Sequence, residues 1–382
     1  MRNWYSVIVL ALLSFCFART LRPVRADEVV RLTPETAKIQ LGVSESKLNS
    51  CYENLPTALH GTVDYFTPSG LEVERGIIKS TRGGVVYDGP LKFVDEDNKD
   101  FLTNHQISAV EVYNKTKFTD NKTEFTFLFN FLRNLPDTQN GFTEKISEIS
   151  LVHKINKNQT IILGQGKRLP IGLDGLPLPQ YQDTALRSQT ARTFSNTRAF
   201  GIRNIGDYKY MDYDIGFYDS TRYFQNFFDG SEFVYQANIK PIAKLDSKKA
   251  GSLKVGTSGQ FGHAKYDYDV VGTHLAYDYK KAHAKFEYMH ANGYNGNSCS
   301  NKKAGGLTSS LVYDLTPKLQ LVGRYDAFDP DTKTHSNDIT EYTAGLNYIV
   351  NKELKFLFNY VRQNKQSGPD SNAFYFVTRF MM

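Results

Sequence analysis

The chain lacks any apolar run that could cross a bilayer as a helix. Past residue 26 nothing approaches the roughly 18 consecutive apolar residues that a membrane helix needs. If this chain enters lipid it must do so as strands closed into a barrel, the other form in which every backbone hydrogen bond is satisfied there. Cysteine is scarce, at three residues, and only Cys51 and Cys299 lie beyond the leader described below. Two thiols do not make a disulfide framework, although an oxidising compartment would permit one bond. There is no metalloprotease helix motif, phosphate-binding loop, nucleophile elbow or paired-cysteine metal site, and the eight histidines are scattered. No catalytic residue, metal site or cofactor is therefore expected. The sequence pI of 8.9 does not point to nucleic acid, because no basic face with interleaved aromatics accompanies it.

Aromatics are abundant, with 26 Phe and 24 Tyr, while the mean hydropathy is negative. Apolar side chains must therefore be interleaved with polar ones. The amino end carries Arg2 and then a 12-residue apolar stretch from Val7 to Ala18, the form of a secretory signal. Cleavage after Ala18 or after Ala26 would fit, and the second, favoured site leaves an acidic start at Asp27-Glu28. Removing residues 1–26 takes away four arginines and no acid, so the formal charge falls from +6 to +2. Net charge then predicts no partner.

The rest of the chain alternates. Phe374, Phe376 and Phe380 share one face, opposite Tyr375 and Arg379; Leu354, Phe356, Phe358 and Tyr360 oppose Lys355, Asn359 and Gln363. Phe125, Phe127, Phe129 and Phe131 oppose Glu124, Thr126 and Asn130; Met211, Tyr213, Ile215 and Phe217 oppose Asp212, Asp214 and Tyr218. Period-two patterning over about ten residues, repeated along a chain, marks transmembrane barrel strands. It predicts strands at 84–95, 105–117, 122–133, 145–155, 158–166, 196–205, 210–219, 231–242, 251–262, 267–279, 282–291, 304–314, 318–328, 338–350, 353–363 and 372–382. The connections sort independently: one end holds tight turns such as 119–121, 156–157, 280–281 and 351–352, the other mostly long loops such as 134–144, 167–195 and 292–303. The reading is all-β: a 16-stranded antiparallel transmembrane β-barrel with an inward-folded long loop. It divides the chain into a signal peptide (1–26), an N-terminal periplasmic or pre-barrel segment (27–83) and the barrel (84–382). A soluble β-sandwich would also alternate, but it would need a second sheet to cover the Phe and Tyr rows.

Chemistry is expected in the pore. Residues 167–195 form the longest connection and carry Lys167, Arg168, Arg187 and Arg192 with Asp174 and Asp183, and Arg198 follows. Folded inward, such a loop narrows the lumen, and charged rings select ions at close quarters. The alternative is that it covers the outer mouth. The non-aromatic face supplies Lys92, Glu111, Lys115, Glu124, Arg203, Asp212, Asp214, Lys240, Lys254, Lys285, Glu287, Arg324, Asp326, Lys355 and Arg379, nine bases to six acids. The constriction and anion-binding set is accordingly Lys167, Arg168, Arg187, Arg192, Arg198, Arg203 and Arg324. A barrel enzyme, an adhesin or structural barrel and a non-selective pore are the competing readings.

The stretch Thr160 to Leu173, TIILGQGKRLPIGL, resembles the element of the phosphate-selective porin O/P family that leads into the pore-folding loop. Asp183 to Ile202, Leu319 to Thr332 and Glu341 to Arg362 are similar to that family's later strands. The resemblance implies a bacterial outer-membrane porin, usually trimeric, whose inward loop and basic lumen guide small anions, phosphate in some members, with Lys167 at the family's loop lysine. Gly166 stands where the family has an aromatic, and the chain ends Phe380-Met381-Met382 rather than in an aromatic. Outer-membrane lipid, lipopolysaccharide and small solutes are the implied partners.

Overall fold

The computed structural model describes residues 78–96, 102–105, 109–131, 145–166, 169–175, 177, 181–194, 198–222, 230–264, 266–294, 299–351 and 353–381. The expected signal peptide (1–26) and residues 27–77, Cys51 among them, lie outside the described residues. The strands are β1 (Ile78–Glu96), β2 (Leu102–His105), β3 (Ala109–Phe118), β4 (Thr123–Asn130), β5 (Ile146–Lys154), β6 (Gln159–Gln165), β7 (Ala199–Asp207), β8 (Met211–Arg222) and β9 (Ser231–Ile239). They continue as β10 (Ser252–His263), β11 (Asp267–Tyr279), β12 (Ala282–Tyr294), β13 (Cys299–Thr316), β14 (Leu319–Asp329), β15 (Ile339–Ile349), β16 (Leu354–Lys365) and β17 (Ser371–Met381). Both β2 and β3 pair with β1, so they are two pieces of one crossing, and the seventeen elements make the sixteen crossings expected. β1 begins at Ile78, where the sequence pattern had placed its start at 84.

The chain divides into two compact units, residues 1–84 with 114–125, and residues 85–113 with 126–382. In the first, Asp120 Oδ1 accepts from the amides of Lys122 at 2.9 Å and Thr123 at 2.8 Å, which closes a turn. Thr81 Oγ1 accepts from Asn114 Nδ2 at 3.0 Å and lies 2.9 Å from Thr116 Oγ1.

The second unit is a closed antiparallel sheet. Each strand pairs with its sequence neighbour, and β17 returns to β1 in a register running from Val86↔Met381 to Glu96↔Ser371. Closure removes the open edge that would leave amides and carbonyls without partners in lipid. At the short-turn end, Asn156 Oδ1 accepts from Asn158 and Gln159, and Asn351 Oδ1 from Glu353 and Leu354. Asx side chains thus set these turns.

Burial is inverted relative to a water-soluble protein. Phe217, Phe358 and Phe374 are 65, 51 and 58% exposed, whereas Glu287, Asn359 and Arg379 are each 2% exposed. An exposed apolar surface running round a whole sheet is tolerated where lipid covers it. The interior is not uniformly polar. One buried apolar cluster contains Val234, Val270, Met289 and Ala291 of the wall with Leu169, Ile171 and Phe194 of the connection between β6 and β7. A second gathers Leu357, Val361 and Val377 with Ala185 and Leu186. These wall positions break the polar alternation because they receive the inward loop.

Leu311 lies midway along an outward-facing stretch of β13 and is 51% exposed. Leu311→Arg is expected to cost about 2–4 kcal/mol, the penalty for a basic residue at the bilayer midplane. Denaturant unfolding in lipid vesicles measures it, and a cost near zero would place this face in water.

Candidate functional site

The described residues of the connection between β6 and β7, within 166–198, lie against the inner wall. Its backbone is mostly irregular, so its amides and carbonyls have no ladder to join; irregular backbone at membrane depth survives only where protein or water satisfies it. Three anchor regions do this. At the first, Gly172 N donates to Ser258 Oγ and Gln236 Nε2 donates to Gly172 O, both at 3.0 Å, while Leu173 N donates to Glu287. Gly172 has φ +69°, and a Cβ there would stand 2.3 Å from Met289 Cε, so only glycine lets the loop approach the wall this closely.

The second anchor spans residues 182–186. Lys355 Nζ donates to Gln182 O at 2.5 Å, Asn347 Nδ2 to Asp183 O at 2.8 Å, and Lys285 pairs with the Asp183 carboxylate at 2.8 Å. Arg379 donates to Thr184 O and Ala185 O at 3.0 and 2.9 Å while pairing with Asp88 at 2.8 Å. Asn359 Oδ1 accepts from Ala185 N at 2.6 Å. Arg324 donates to Thr184 Oγ1 and Leu186 O at 2.7 and 2.6 Å and pairs with Asp326 and Glu341, each at 2.8 Å.

The third anchor is a short helix, Gln189–Phe194. Arg192 pairs with Glu341 at 2.7 Å, Gln189 donates to the same carboxylate, and the Phe194 ring packs edge-on against Tyr294 and Phe328 at 5.3 and 5.8 Å. Within the loop, the Arg187 guanidinium donates to the carbonyls of Asp174, Gly175 and Pro177 at 2.5–2.8 Å.

The residues expected at the constriction can now be placed. Lys167 and Arg168 lie outside the described residues. Arg187 spans the loop's own carbonyls, Arg192 joins the loop to Glu341, and Arg324 ties loop to wall. Arg198 pairs with Glu148 at 3.2 Å and donates to Gly166 O at 3.0 Å, at the loop's base. Arg203 pairs with Asp214 on the neighbouring strand. Arg187, Arg198, Arg203 and Arg324 are buried, and Arg192 keeps 29% of its side chain exposed. Among the lysines, Lys240 and Lys254 both pair with Asp212, and Lys92 sits 5.6 Å over the Tyr375 ring. Glu111 accepts from Asn130 and Ser147.

Sequence reasoning missed Glu341, Asn347, Asn359, Ser258 and Gln236 as loop partners. Their polarity on the inner face was readable, but nothing local marks which inner residues meet a loop some 50 to 180 positions away. His274 is buried on the inner face and hydrogen-bonded to Asn238 at 2.6 Å. Among the described residues no three His, Cys, Asp or Glu side chains converge as metal ligands would.

Residues 216–373 match the family model described as phosphate-selective porin O and P. The sequence has no match among the curated proteins compared with it. The fold is similar to an anion-selective porin from Comamonas acidovorans, with 10% identity, TM-score 0.57 and coverage of 79% of this chain and 99% of that one. It is also similar to the outer membrane channel DcaP of Acinetobacter baumannii (11%, TM-score 0.56, 81 and 99% covered) and to Salmonella typhi OmpF in complex with daunomycin (11%, TM-score 0.57, 79 and 98% covered).

Phe194→Ala removes a fully buried anchor and is expected to cost about 3–5 kcal/mol of packing. If the helix holds the loop down, the variant's single-channel conductance rises and becomes noisy while barrel content by circular dichroism stays unchanged. Wild-type conductance in the folded variant would remove this contact from the constriction.

Proposed function

We propose that the chain is a porin of the bacterial outer membrane that passes small hydrophilic solutes with a preference for small anions, phosphate among them; residues 216–373 match the phosphate-selective porin O and P model, and the strands close into one antiparallel sheet. The observation that carries the channel reading is the loop bonded to the inner wall through Gly172, Asp183, Thr184, Ala185 and Leu186, a seat that supports a lumen narrowed by the loop. Support for anions comes from the family segment, from the loop's five bases against two acids, and from Arg192, Lys285 and Lys254, which keep 29, 33 and 39% of their side chains exposed. A homotrimer is proposed on the family resemblance.

A second reading, a weakly selective diffusion pore, is favoured by one specific observation. Arg198, Arg203, Arg324 and Arg379 each pair with a carboxylate, so their charges are largely offset in the field a permeating ion meets. On that reading the arginines are structural, as are Lys254 and Lys285 paired with Asp212 and Asp183, and selectivity falls to Lys167 and Arg168.

Reversal potential in a potassium chloride gradient separates the two. The proposal expects an anion-side potential that moves toward cations in Lys167→Glu/Arg168→Glu, followed by competition of phosphate against chloride. A potential near zero in the wild type, unchanged in the variant, would leave the unselective pore.

A further inference from the structure

The helix Gln189–Phe194 and the strands β14–β16 meet in a charge group whose centre is an acid. Asp326 stands opposite Glu341 across β14 and β15, and Glu341 opposite Gln363 across β15 and β16. Residues directly opposite on antiparallel neighbours share a face, here the inner one. Arg324 pairs with both carboxylates at 2.8 Å, and Arg192 of the helix pairs with Glu341 at 2.7 Å. Two bases thus meet two acids. Glu341 is the acid that holds both arginines: Oε1 accepts from Arg324, and Oε2 accepts from Arg192 and Gln189.

The two arginines differ in what they have left. Arg324 keeps 2% of its side chain exposed and is committed to protein throughout: Nη1 donates to Thr184 Oγ1 and Leu186 O, Nη2 donates to Glu341, and Nε faces Asp326. Arg192 keeps 29% exposed, and among the described residues its guanidinium makes its hydrogen bond and ion pair through Nη2 to Glu341. A guanidinium carries five N–H donors, so those on Nε and Nη1 are left for water or for a passing anion.

We infer that Glu341 is a positioning residue for ion selectivity: it orients Arg192 by one nitrogen and offsets that arginine's charge, so the buried carboxylate decides how strongly the loop attracts anions. At the separation of this pair the two fields largely cancel beyond the contact, whereas a lone guanidinium beside a low-dielectric wall acts undiminished. Neutralising Glu341 leaves two bases against one acid, and the excess falls on Arg192, the exposed member. The inference rests on the channel reading above, with the loop at the narrow part of the lumen.

The test is the reversal potential of the folded full-length protein in a potassium chloride gradient, read as each variant's shift from wild type and so independent of the sign of the wild-type preference. Glu341→Gln keeps the side chain's size and one acceptor for an arginine, and is expected to move the potential toward chloride; Arg192→Gln is expected to move it toward potassium. In the double variant most of the Glu341→Gln shift is expected to disappear, the non-additivity of residues that act through one another. Glu232→Gln, which removes a buried carboxylate of β9 bonded to Tyr268 and Gln260, is expected to give a smaller shift. An unchanged potential in folded Glu341→Gln, an undiminished shift in the double variant, or an equal shift in Glu232→Gln overturns the inference. A merely structural Glu341 would change conductance and its noise and leave the reversal potential where it was. If Glu341→Gln does not fold, Gln363→Glu decides, because Gln363 Nε2 lies 3.5 Å from the Glu341 oxygen that Arg192 holds. Its expected shift is toward potassium and is lost in the Arg192→Gln background; persistence there overturns the inference. A wild type that gives no single-channel steps overturns the channel reading itself.

Discussion

A closed sheet leaves its own backbone satisfied and cannot satisfy anyone else's. That constraint governs the loop between β6 and β7, which enters the lumen with carbonyls and amides that no ladder can take up. The wall answers with charged and amide side chains: Arg324, Arg379 and Lys355 donate to loop carbonyls, and Asn359 and Glu287 accept from loop amides. A cation bonded to a carbonyl and flanked by a carboxylate makes a charge-assisted bond that outweighs a neutral one. The guanidiniums of this barrel therefore bear on structure before they bear on ions.

Position on the wall divides the interior into two regimes. Under the loop, on β9–β17, the inner face is dry, with Val270, Met289 and Leu357 packed and Glu287 and Asp326 buried. Near the short turns it is wetter and carries linked pairs such as Lys254–Asp212 and His283 between Asp278 and Asp314. Charges are paired in both, which lowers the net field of the inner face without removing its local dipoles.

How much of this the sequence disclosed follows from the range of the interactions. Strands were legible because alternation is local: β11 runs over Asp267–Tyr279 as its pattern says, and the Phe374, Phe376, Phe380 row faces out as expected. The loop was legible by its length and charge. Its seat was not, since Asp183 meets Asn347 and Ala185 meets Asn359 across 164 and 174 residues, and no short-range signal spans that. The pairing of Arg324 with Asp326 could have been read, because residues two apart on a strand share a face. The inner apolar positions Val234 and Val270 were opaque for a different reason: their strands are apolar on both faces there, so alternation gives no sign.

The Arg379 side chain also joins the seam of the sheet to the loop. It sits on β17, the final strand, and joins Asp88 across the seam while gripping the loop at Thr184 and Ala185. Lys355 and Asn359 add two holds from β16, beside those of Lys285, Arg324 and Asn347 on earlier strands. The seat of the loop's middle is therefore complete only when the last two strands are paired. The closed seam and the seated loop thus share one side chain, so a substitution at Arg379 disturbs both together.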